Sequence, residues 1–345
     1  MNALAPIASP IVRRAAFEDR AAIDAFVARH ERGTPFHRPA WLRGVEQGCG
    51  HRAHLLVAEA GGAVIGYLPL SHVRSRLFGS ALVSTGFAVG GGILATDPLT
   101  AERLAAAAVD LARELGCPTV ELRGGEPPAG WRRCEGVYAS FARPLPAGDE
   151  AILKAIPRKQ RAEVRRAMTF GLDADVHRDA ALHHLVYAES VRNLGTPVFP
   201  RALFEAVLAA FGGDADILTV RKDGRALASV LSLYHEGTVY PYWGGGTAEA
   251  RGLRANEKLY FELMRHAAAR GCTRFDFGRS KLGTGAFAFK KNWGFEPEPL
   301  TYAVHGALRD TNPLSAKHRL KVALWKQLPL PIANRLGPIV ARGLG

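Results

Sequence analysis

Residues 195–199 read Gly-Thr-Pro-Val-Phe, and residues 33–36 read Gly-Thr-Pro-Phe, so a short motif occurs twice in the chain. From the phenylalanine onward the two parts align without gaps, with matches at Arg38 and Arg201, Gly50 and Gly213, Leu55 and Leu218, Gly61 and Gly224, and Leu70 and Leu233. Further on, the glycine triplet at residues 90–92 matches the triplet at residues 244–246 if one loop is longer in the first copy. An internal repeat of this length predicts two tandem copies of one fold.

The length of the chain agrees with two hydrophobic cores. Its 345 residues, 48% of them hydrophobic, favour two domains of about 150 residues each. We assign residues 1–147 to the first domain, residues 148–307 to the second domain and residues 308–345 to a basic amphipathic tail. We expect residues 11–143 and 150–305 to superpose, with the two glycine triplets in equivalent positions.

Each copy shows the same succession of local signals: a strand, a helix that opens at an aspartate, a glycine hairpin turn, a strand that ends in three glycines, a helix and an apolar strand. In the two copies these signals lie at residues 11–14 and 172–176, Asp19 and Asp179, 61–62 and 223–224, 90–92 and 244–246, 101–115 and 256–270, and 119–122 and 274–277. The pattern predicts an α/β (α+β) fold in which each copy is a mixed, mostly antiparallel sheet flanked by helices. Asn256 is expected at an N-cap.

The basic residues are unevenly distributed. The net charge of +13 is concentrated in residues 154–166 and in residues 309–345. Residues 143–149, with two prolines, predict a linker, and residues 154–170 predict a basic helix between the copies. Two basic clusters favour an anionic partner, such as phosphate groups, a nucleic acid or the cytoplasmic lipid leaflet, over a merely solvated surface.

Cysteine usage and the start of the chain limit the cellular context. The four cysteines form no Cys-x-x-Cys pair, which argues against a zinc site and a disulfide framework, so we predict no metal. The sequence does not begin with a basic region followed by an apolar stretch, so a cytoplasmic location is expected. The oligomeric state is left open.

The second copy carries the more specific motifs. One strand ends in Pro241-Tyr242-Trp243 followed by three glycines, and the next strand ends in residues 275–281, Phe-Asp-Phe-Gly-Arg-Ser-Lys. Residues 283–295 then read Gly-Thr-Gly-Ala-Phe-Ala-Phe-Lys-Lys-Asn-Trp-Gly-Phe. A strand that reaches Asp-Phe-Gly, a glycine-rich loop and Phe-Lys-x-x-aromatic-Gly closely resemble the C-terminal half of Fem-type peptidyltransferases.

The order of elements also resembles that of the GNAT acetyltransferase domain. With residues 156–161 (Ile-Pro-Arg-Lys-Gln-Arg) and 193–197 (Asn-Leu-Gly-Thr-Pro), the chain is most similar to FemAB-related proteins of the exosortase (PEP-CTERM) and exopolysaccharide system. The resemblance implies an N-acyltransferase that moves an acyl or aminoacyl group to an amine on a lipid-linked envelope or exopolysaccharide precursor, with no covalent enzyme intermediate. It implies no permanently bound cofactor, and the donor is either an acyl thioester or an aminoacyl-tRNA.

The motifs of the second copy and the basic segment contain the candidate site residues. Lys290 matches the motif lysine, which in the family lies in the substrate channel near phosphate or developing negative charge, and the alternative is a solvated lysine. Tyr242 and Asp276 are the other catalytic candidates; as alternatives, Tyr242 is a half-buried strand residue and Asp276 has a structural role, holding a helix end or Arg274. The predicted substrate-binding residues are Trp243, Arg279, Ser280, Lys281, Gly283 and Gly285, together with Arg158, Arg161 and Arg165 of the basic segment.

Two features depart from the related enzymes. Residues 249–254, Glu-Ala-Arg-Gly-Leu-Arg, lack the glycine pattern of the loop that binds the pyrophosphate of acetyl-CoA. The second copy has no room for the long helical arm that several Fem enzymes insert, which argues against a tRNA donor.

A non-catalytic scaffold is the alternative function, because the same basic groove could hold anionic polysaccharide, nucleic acid or membrane. An open cavity beside Gly283 would favour the enzyme, whereas a groove filled by Phe287 or Trp293 would favour the scaffold. The basic tail is expected either on the inner face of the membrane or packed on the second domain.

Overall fold

A computed structural model describes residues 10–75, 78–308 and 319–345. The strands are β1 (Ile11–Ala15), β2 (Arg52–Ala60), β3 (Ala63–Ser75), β4 (Gly79–Ser84), β5 (Leu94–Ala95), β6 (Thr119–Arg123), β7 (Arg132–Cys134), β8 (Tyr138–Ser140), β9 (Ala142–Pro144), β10 (Asp173–His177), β11 (Ala215–Lys222), β12 (Arg225–His235), β13 (Thr238–Gly246), β14 (Arg274–Asp276), β15 (Ser280–Lys281), β16 (Glu298–Pro299) and β17 (Tyr302–Gly306). The helices are α1 (Arg20–Arg29), α2 (Pro39–Cys49), α3 (Pro98–Glu114), α4 (Asp149–Ala155), α5 (Arg158–Met168), α6 (Ala180–Leu194), α7 (Arg201–Phe211), α8 (Ala255–Ala269), α9 (Gly285–Asn292), α10 (Arg319–Gln327) and α11 (Leu330–Ala341).

The described chain forms two units with sheets of the same strand order. The main sheet of the first unit runs β1-β2-β3-β4-β6-β17-β7, and that of the second runs β10-β11-β12-β13-β14-β9. In each sheet the fourth and fifth strands are parallel, and the other neighbours are antiparallel. Helices flank both sheets, so the predicted fold class is confirmed.

Each unit has its own hydrophobic core. In the first unit, α3 buries Leu104, Ala108 and Leu111 against the sheet. In the second unit, α8 buries Leu259 and Met264 in a core that also contains residues of β11, β12 and β14. The buried apolar residues of these helices thus recur with the helical period that the sequence pattern predicts.

The bounds of the units differ from the predicted ranges 1–147 and 148–307. The first unit takes the described chain up to Glu135 together with the segment from Thr301, and the second takes Gly136–Leu300 and the C-terminal helices. The reason is backbone pairing. β9, which lies partly in the predicted linker at residues 143–149, pairs with β14 in the second sheet, and β17 pairs with β6 in the first.

Several local expectations need correction. The triplet at residues 244–246 ends β13, whereas residues 90–92 lie in a loop after β4. The predicted basic helix at residues 154–170 is two helices, α4 and α5, because Pro157 holds the preceding Ile156 in an extended conformation. Asn256 is not an N-cap, since Arg254 occupies that position in a left-handed conformation.

Of the predicted tail at residues 308–345, residues 309–318 lie outside the described part of the chain. α10 and α11 pack against α6, and Arg192 Nη1 donates a hydrogen bond of 3.2 Å to the carbonyl oxygen of Lys326. The described part of the tail is therefore attached to the second unit. No helix of the described residues is long and apolar enough to cross a membrane.

The two predicted helix-opening aspartates act differently. The Asp179 carboxylate accepts hydrogen bonds from the backbone N–H groups of Ala181 (2.9 Å) and Leu182 (3.0 Å), and these bonds hold its pKa below the usual value. The Asp19 carboxylate does not cap α1; it accepts bonds from Arg13 and from the N–H of Ala16. Only Asp179 is an N-cap in the sense predicted.

We expect Asp179→Ala to lower the free energy of unfolding of the second unit by about 1 kcal/mol, because two backbone donors at the start of α6 lose their acceptor. Asp179→Ser, which keeps an oxygen acceptor, should retain most of this stability. Urea unfolding followed by circular dichroism measures both variants. An Ala variant as stable as the parent would show that the cap contributes nothing.

Candidate active site

The parallel strands β13 and β14 of the second sheet part early. The two parallel strands pair only at Thr238 with Arg274 and at Val239 with Phe275. Beyond these pairs β13 continues to Gly246 beside β12, and the register between the two strands shifts by a bulge at Tyr242. Ligands of open α/β sheets usually lie outside the carboxyl ends of the strands, where neighbouring strands part.

The glycines at the end of β13 allow close approach of two helices. A Cβ atom on Gly244 would lie 2.8 Å from Oη of Tyr260, and one on Gly245 would lie 2.2 Å from Oγ of Ser190. A Cβ atom on Gly246 would lie 2.8 Å from Oδ1 of Asn256. The triplet thus lets α6 and α8 bring hydroxyl and amide groups against the strand.

Two polar atoms beside this strand end are inaccessible to solvent and make no hydrogen bond with any residue that the structure describes. They are Oδ1 of Asn256 and Oγ1 of Thr247. Buried polar groups are usually paired, so these two acceptors mark a place where a ligand could bond. The sequence indicated Asn256 only as a helix cap, and no local signal pointed to Ser190 or Tyr260, which helix packing brings here.

Lys290 lies on α9 and is 9% exposed. Its Nζ donates to the carbonyl oxygens of Gly278 (3.1 Å) and Arg279 (2.8 Å). The ammonium lies 5.4 Å from the ring centroid of Phe141 and 5.7 Å from that of Phe277. Burial lowers the pKa of Lys290 to about 7, although the carboxylate of Asp276 acts in the opposite direction. Lys290 is therefore not the solvated lysine of the alternative prediction.

Asp276 holds the backbone at the end of β14. Its Oδ1 accepts a hydrogen bond of 2.8 Å from the N–H of Gly278. Burial raises the pKa of Asp276, and the bond from Gly278 and the charges of Arg274 and Lys290 oppose that shift. This bond gives Asp276 a structural role with a backbone N–H as its partner, in place of the expected helix end or Arg274, and the charges of Arg274 and Lys290 act on its carboxylate.

The two aromatic candidates of β13 lie in different environments. Trp243 is 4% exposed and packs edge-on against Phe204 at a centroid distance of 5.0 Å. Trp243, which was predicted to bind substrate, thus packs its ring in the hydrophobic core. Tyr242, at the bulge, is partly exposed and contacts Trp243 edge-on.

The predicted binding loop after β14 is tightly organised. Arg279 stacks on the ring of Tyr138 at 4.6 Å, and Ser280 and Lys281 form β15 against β8. Gly283 has a φ of +74°, which favours glycine, and Thr284 caps α9 by accepting a bond from the N–H of Phe287. Gly285 is the first residue of α9, and a Cβ atom there would meet no other atom within 4 Å.

The hydroxyl of Ser280 is buried and has no hydrogen-bond partner in the described part of the chain. Burial lowers the pKa of Lys281. The structure thus brings Asp276, Arg279, Ser280 and Lys290 together at one end of β14.

The three predicted phosphate-binding arginines are not equivalent. Arg161 donates to the carbonyl oxygens of Lys154 and Ile156, at 2.9 Å each, so it holds the turn between α4 and α5. Arg161 and Arg165 line a cavity of about 730 Å³, which also contains Asp149 and Glu150. Arg158 is exposed and is not among the residues that line it.

The segment that corresponds to a CoA-binding loop is held by ion pairs. Glu249 pairs with Arg225 at 2.8 Å, and Arg254 pairs with Glu163. Among the described residues, no three His, Cys, Asp or Glu side chains are grouped so that they could hold a metal ion.

The corresponding parting in the first unit is filled by a side chain. β4 and β6 pair up to Ser84 and Leu122, and Arg123 follows at once. Arg123 is 5% exposed, pairs with Glu121 at 2.7 Å and donates to two carbonyl oxygens of the loop after β4. A guanidinium thus bonds to the backbone at the parting of the first sheet.

Comparison with protein families agrees with this geometry. Residues 154–291 match the family model described as the acetyltransferase (GNAT) domain. The fold is GNAT-like. The comparison with curated protein sequences gave no match.

Solved structures show the same fold over most of the chain. A crystal structure of FemX is similar with a TM-score of 0.68 at 16% identity, over 84% of this chain and 96% of FemX. The C-terminal domain of a protein described as a lysylphosphatidylglycerol synthetase, from Agrobacterium fabrum, gives 0.54 at 18% identity, over 84% and 93%. A tandem GNAT protein from the clavulanic acid biosynthesis pathway gives 0.52 at 13% identity, over 86% and 98%. The tandem GNAT-like architecture is thus shared with other proteins.

We expect Gly245→Ala to destabilise the second unit by about 1 to 3 kcal/mol, because the new methyl group would overlap Ser190 of α6. Gly213→Ala is the matched control, since a Cβ atom there meets no other atom within 4 Å. Thermal unfolding of both variants measures the difference. If the two variants melt together, the glycine triplet does not serve helix packing.

Proposed function

We propose that the protein is an N-acyltransferase of the Fem type that acts in its second unit. The observation that carries this proposal is the early parting of β13 and β14, with a buried lysine of lowered pKa at the end of β14. The GNAT domain match and the similarity to FemX support the general reaction class. The acceptor, an amine on an envelope or exopolysaccharide precursor, and the link to the exosortase system rest on the resemblance of the sequence motifs.

In the reaction, a neutral acceptor amine attacks the carbonyl carbon of the donor. The C–N bond forms, the bond to the thiol or tRNA hydroxyl breaks, and the amine loses a proton to the leaving group or to water. Negative charge develops on the carbonyl oxygen, where oriented N–H groups and a buried ammonium are most effective. The bulged backbone of β13 near Tyr242 would supply N–H groups, and Lys290 would supply positive charge.

The donor is either an acyl thioester or an aminoacyl-tRNA. The ion pairs of Glu249 and Arg254 leave the start of α8 unlike an ordinary CoA cradle, which weighs against a simple acetyl-CoA donor. The basic residues of α5, with Arg158 and Arg165 exposed, suit the phosphates of a larger anionic donor or of a lipid-linked acceptor.

A non-catalytic scaffold is the second candidate, and packing beside the glycine loop favours it. Trp293 is fully buried between Tyr260 and Phe289, and Phe287 packs edge-on against Phe141 at 5.2 Å. These rings occupy space that a ligand would need if it entered from the Gly283 side. A scaffold would use the basic surface alone and would not need Lys290.

We expect Lys290→Ala to lower product formation by about 10- to 1000-fold, because a charge-assisted contact in a dry site contributes about 1.5 to 4 kcal/mol. Lys291→Ala is the matched control, since Lys291 is the exposed neighbour on the same helix. Each variant is returned to a strain that lacks the gene, and mass spectrometry measures the substituent on envelope and exopolysaccharide precursors. Equal losses from both variants would contradict the role of Lys290.

The pH dependence of stability provides a separate check on Lys290. Between pH 7 and about 10, the unfolded chain keeps a proton on this lysine that the folded protein has lost, so the free energy of unfolding should rise with pH. In Lys290→Met this contribution should disappear. If activity depends on the ammonium, it should also fall as the pH rises through about 7. If the free energy of unfolding changed with pH in the same way in the parent and in Lys290→Met, the pKa of Lys290 would not be lowered in the folded protein.

A further inference from the structure

The outer face of α11 exposes large aliphatic side chains. Ile332, Leu336 and Ile339 are 47%, 43% and 68% exposed. They are spaced four and three residues apart, so they lie along one side of the helix. On α10, Leu324 is 57% exposed.

The inner face of the same helix is lined by small residues. Ala333, Gly337 and Ala341 are the buried residues of α11. A Cβ atom on Gly337 would lie 2.9 Å from a side-chain carbon of Val198, so the helix packs closely by its small side. A helix on a soluble surface normally buries its large aliphatic residues and exposes small or polar ones. In α11 the small residues are buried and the large aliphatic ones are exposed. The exposed stripe of Ile332, Leu336 and Ile339 therefore needs another apolar environment.

The charges around the stripe favour one kind of partner. Lys326 and Arg335 are exposed, and Arg335 and Arg342 lie at the border of the stripe on the helical projection. Residues 311–345 contain no aspartate and no glutamate. An amphipathic helix with aliphatic residues on one side and flanking arginines, without acidic residues, is suited to the interface of an anionic bilayer.

We infer that α11 docks the protein on the surface of an anionic membrane, with Ile332, Leu336 and Ile339 inserted between the lipid headgroups. The helix lies in the plane of the interface and does not cross it. Its small-residue side stays packed on the second unit, so docking needs no unfolding of the tail. This inference is independent of the proposed reaction.

The test is flotation of the full-length protein with vesicles of phosphatidylglycerol and phosphatidylethanolamine, compared with vesicles of phosphatidylcholine. The parent should bind the anionic vesicles, and binding should weaken at high salt. The triple variant I332S/L336S/I339S should lose at least 10-fold in bound fraction. The control variant I11S/L99S/V176S, which changes exposed aliphatic residues elsewhere, should bind like the parent.

A charge variant separates the electrostatic contribution to membrane binding from the apolar one. K326Q/R335Q should bind anionic vesicles more weakly than the parent and with less dependence on salt, while its binding to phosphatidylcholine stays the same. Circular dichroism and thermal unfolding confirm that all variants are folded.

Two results would overturn the inference. One is a triple variant that floats as well as the parent. The other is a parent protein that does not bind vesicles and elutes as a dimer, while the triple variant elutes as a monomer. The stripe would then be covered by a second copy of the chain.

Discussion

The candidate site depends on the early parting of two parallel strands. β13 and β14 bond through two residue pairs only, and then β13 follows β12 while β14 turns toward α9. A bulge at Tyr242 alters the pairing of β13 at this point, and bulges bend and twist a strand. Glycines 244–246 allow α6 and α8 to pack closely on the end of β13, which is paired with β12. The parting of the two strands is therefore a consequence of how the sheet is packed.

Lys290 connects this geometry to chemistry. Burying an ammonium group is costly unless its N–H groups are bonded, and the carbonyl oxygens of Gly278 and Arg279 provide that compensation. The remaining cost appears as a pKa of about 7, close to the pH at which the group would act. The same contacts fix the backbone at the end of β14, so Lys290 has a structural role in addition to the proposed one. Measurement of stability and activity on the same variants is needed for that reason.

The sequence predicted the architecture well because the repeat and the local signals are strong. Equal strand order in the two sheets, the hairpin turns and the cap at Asp179 follow from residue types at fixed positions. The observed unit boundaries differ from the predicted ones because β9 and β17 pair with strands that are distant in the sequence. Such pairing leaves no local signal. The break before α5 could have been foreseen from Pro157.

The site was predicted in part. Motif resemblance identified Lys290 and the end of β14, and the structure brings Asp276, Arg279 and Ser280 to the same place. Side-chain direction could not be read from the sequence. Trp243 points into the core and Arg161 bonds to backbone carbonyls, although both residue types also suit ligand binding. Asn256 and Ser190 were missed because only the packing of helices on β13 places them beside the end of this strand.

The most direct test of the account is a comparison of envelope and exopolysaccharide precursors from the parent strain and from a strain that lacks the gene, by mass spectrometry. An N-acyltransferase predicts that one precursor loses the mass of an acyl or aminoacyl substituent on an amine, and that the unsubstituted form accumulates. If the precursors had identical masses in the two strains and differed only in amount or retention, this result would contradict the proposed N-acyltransferase activity and favour the scaffold.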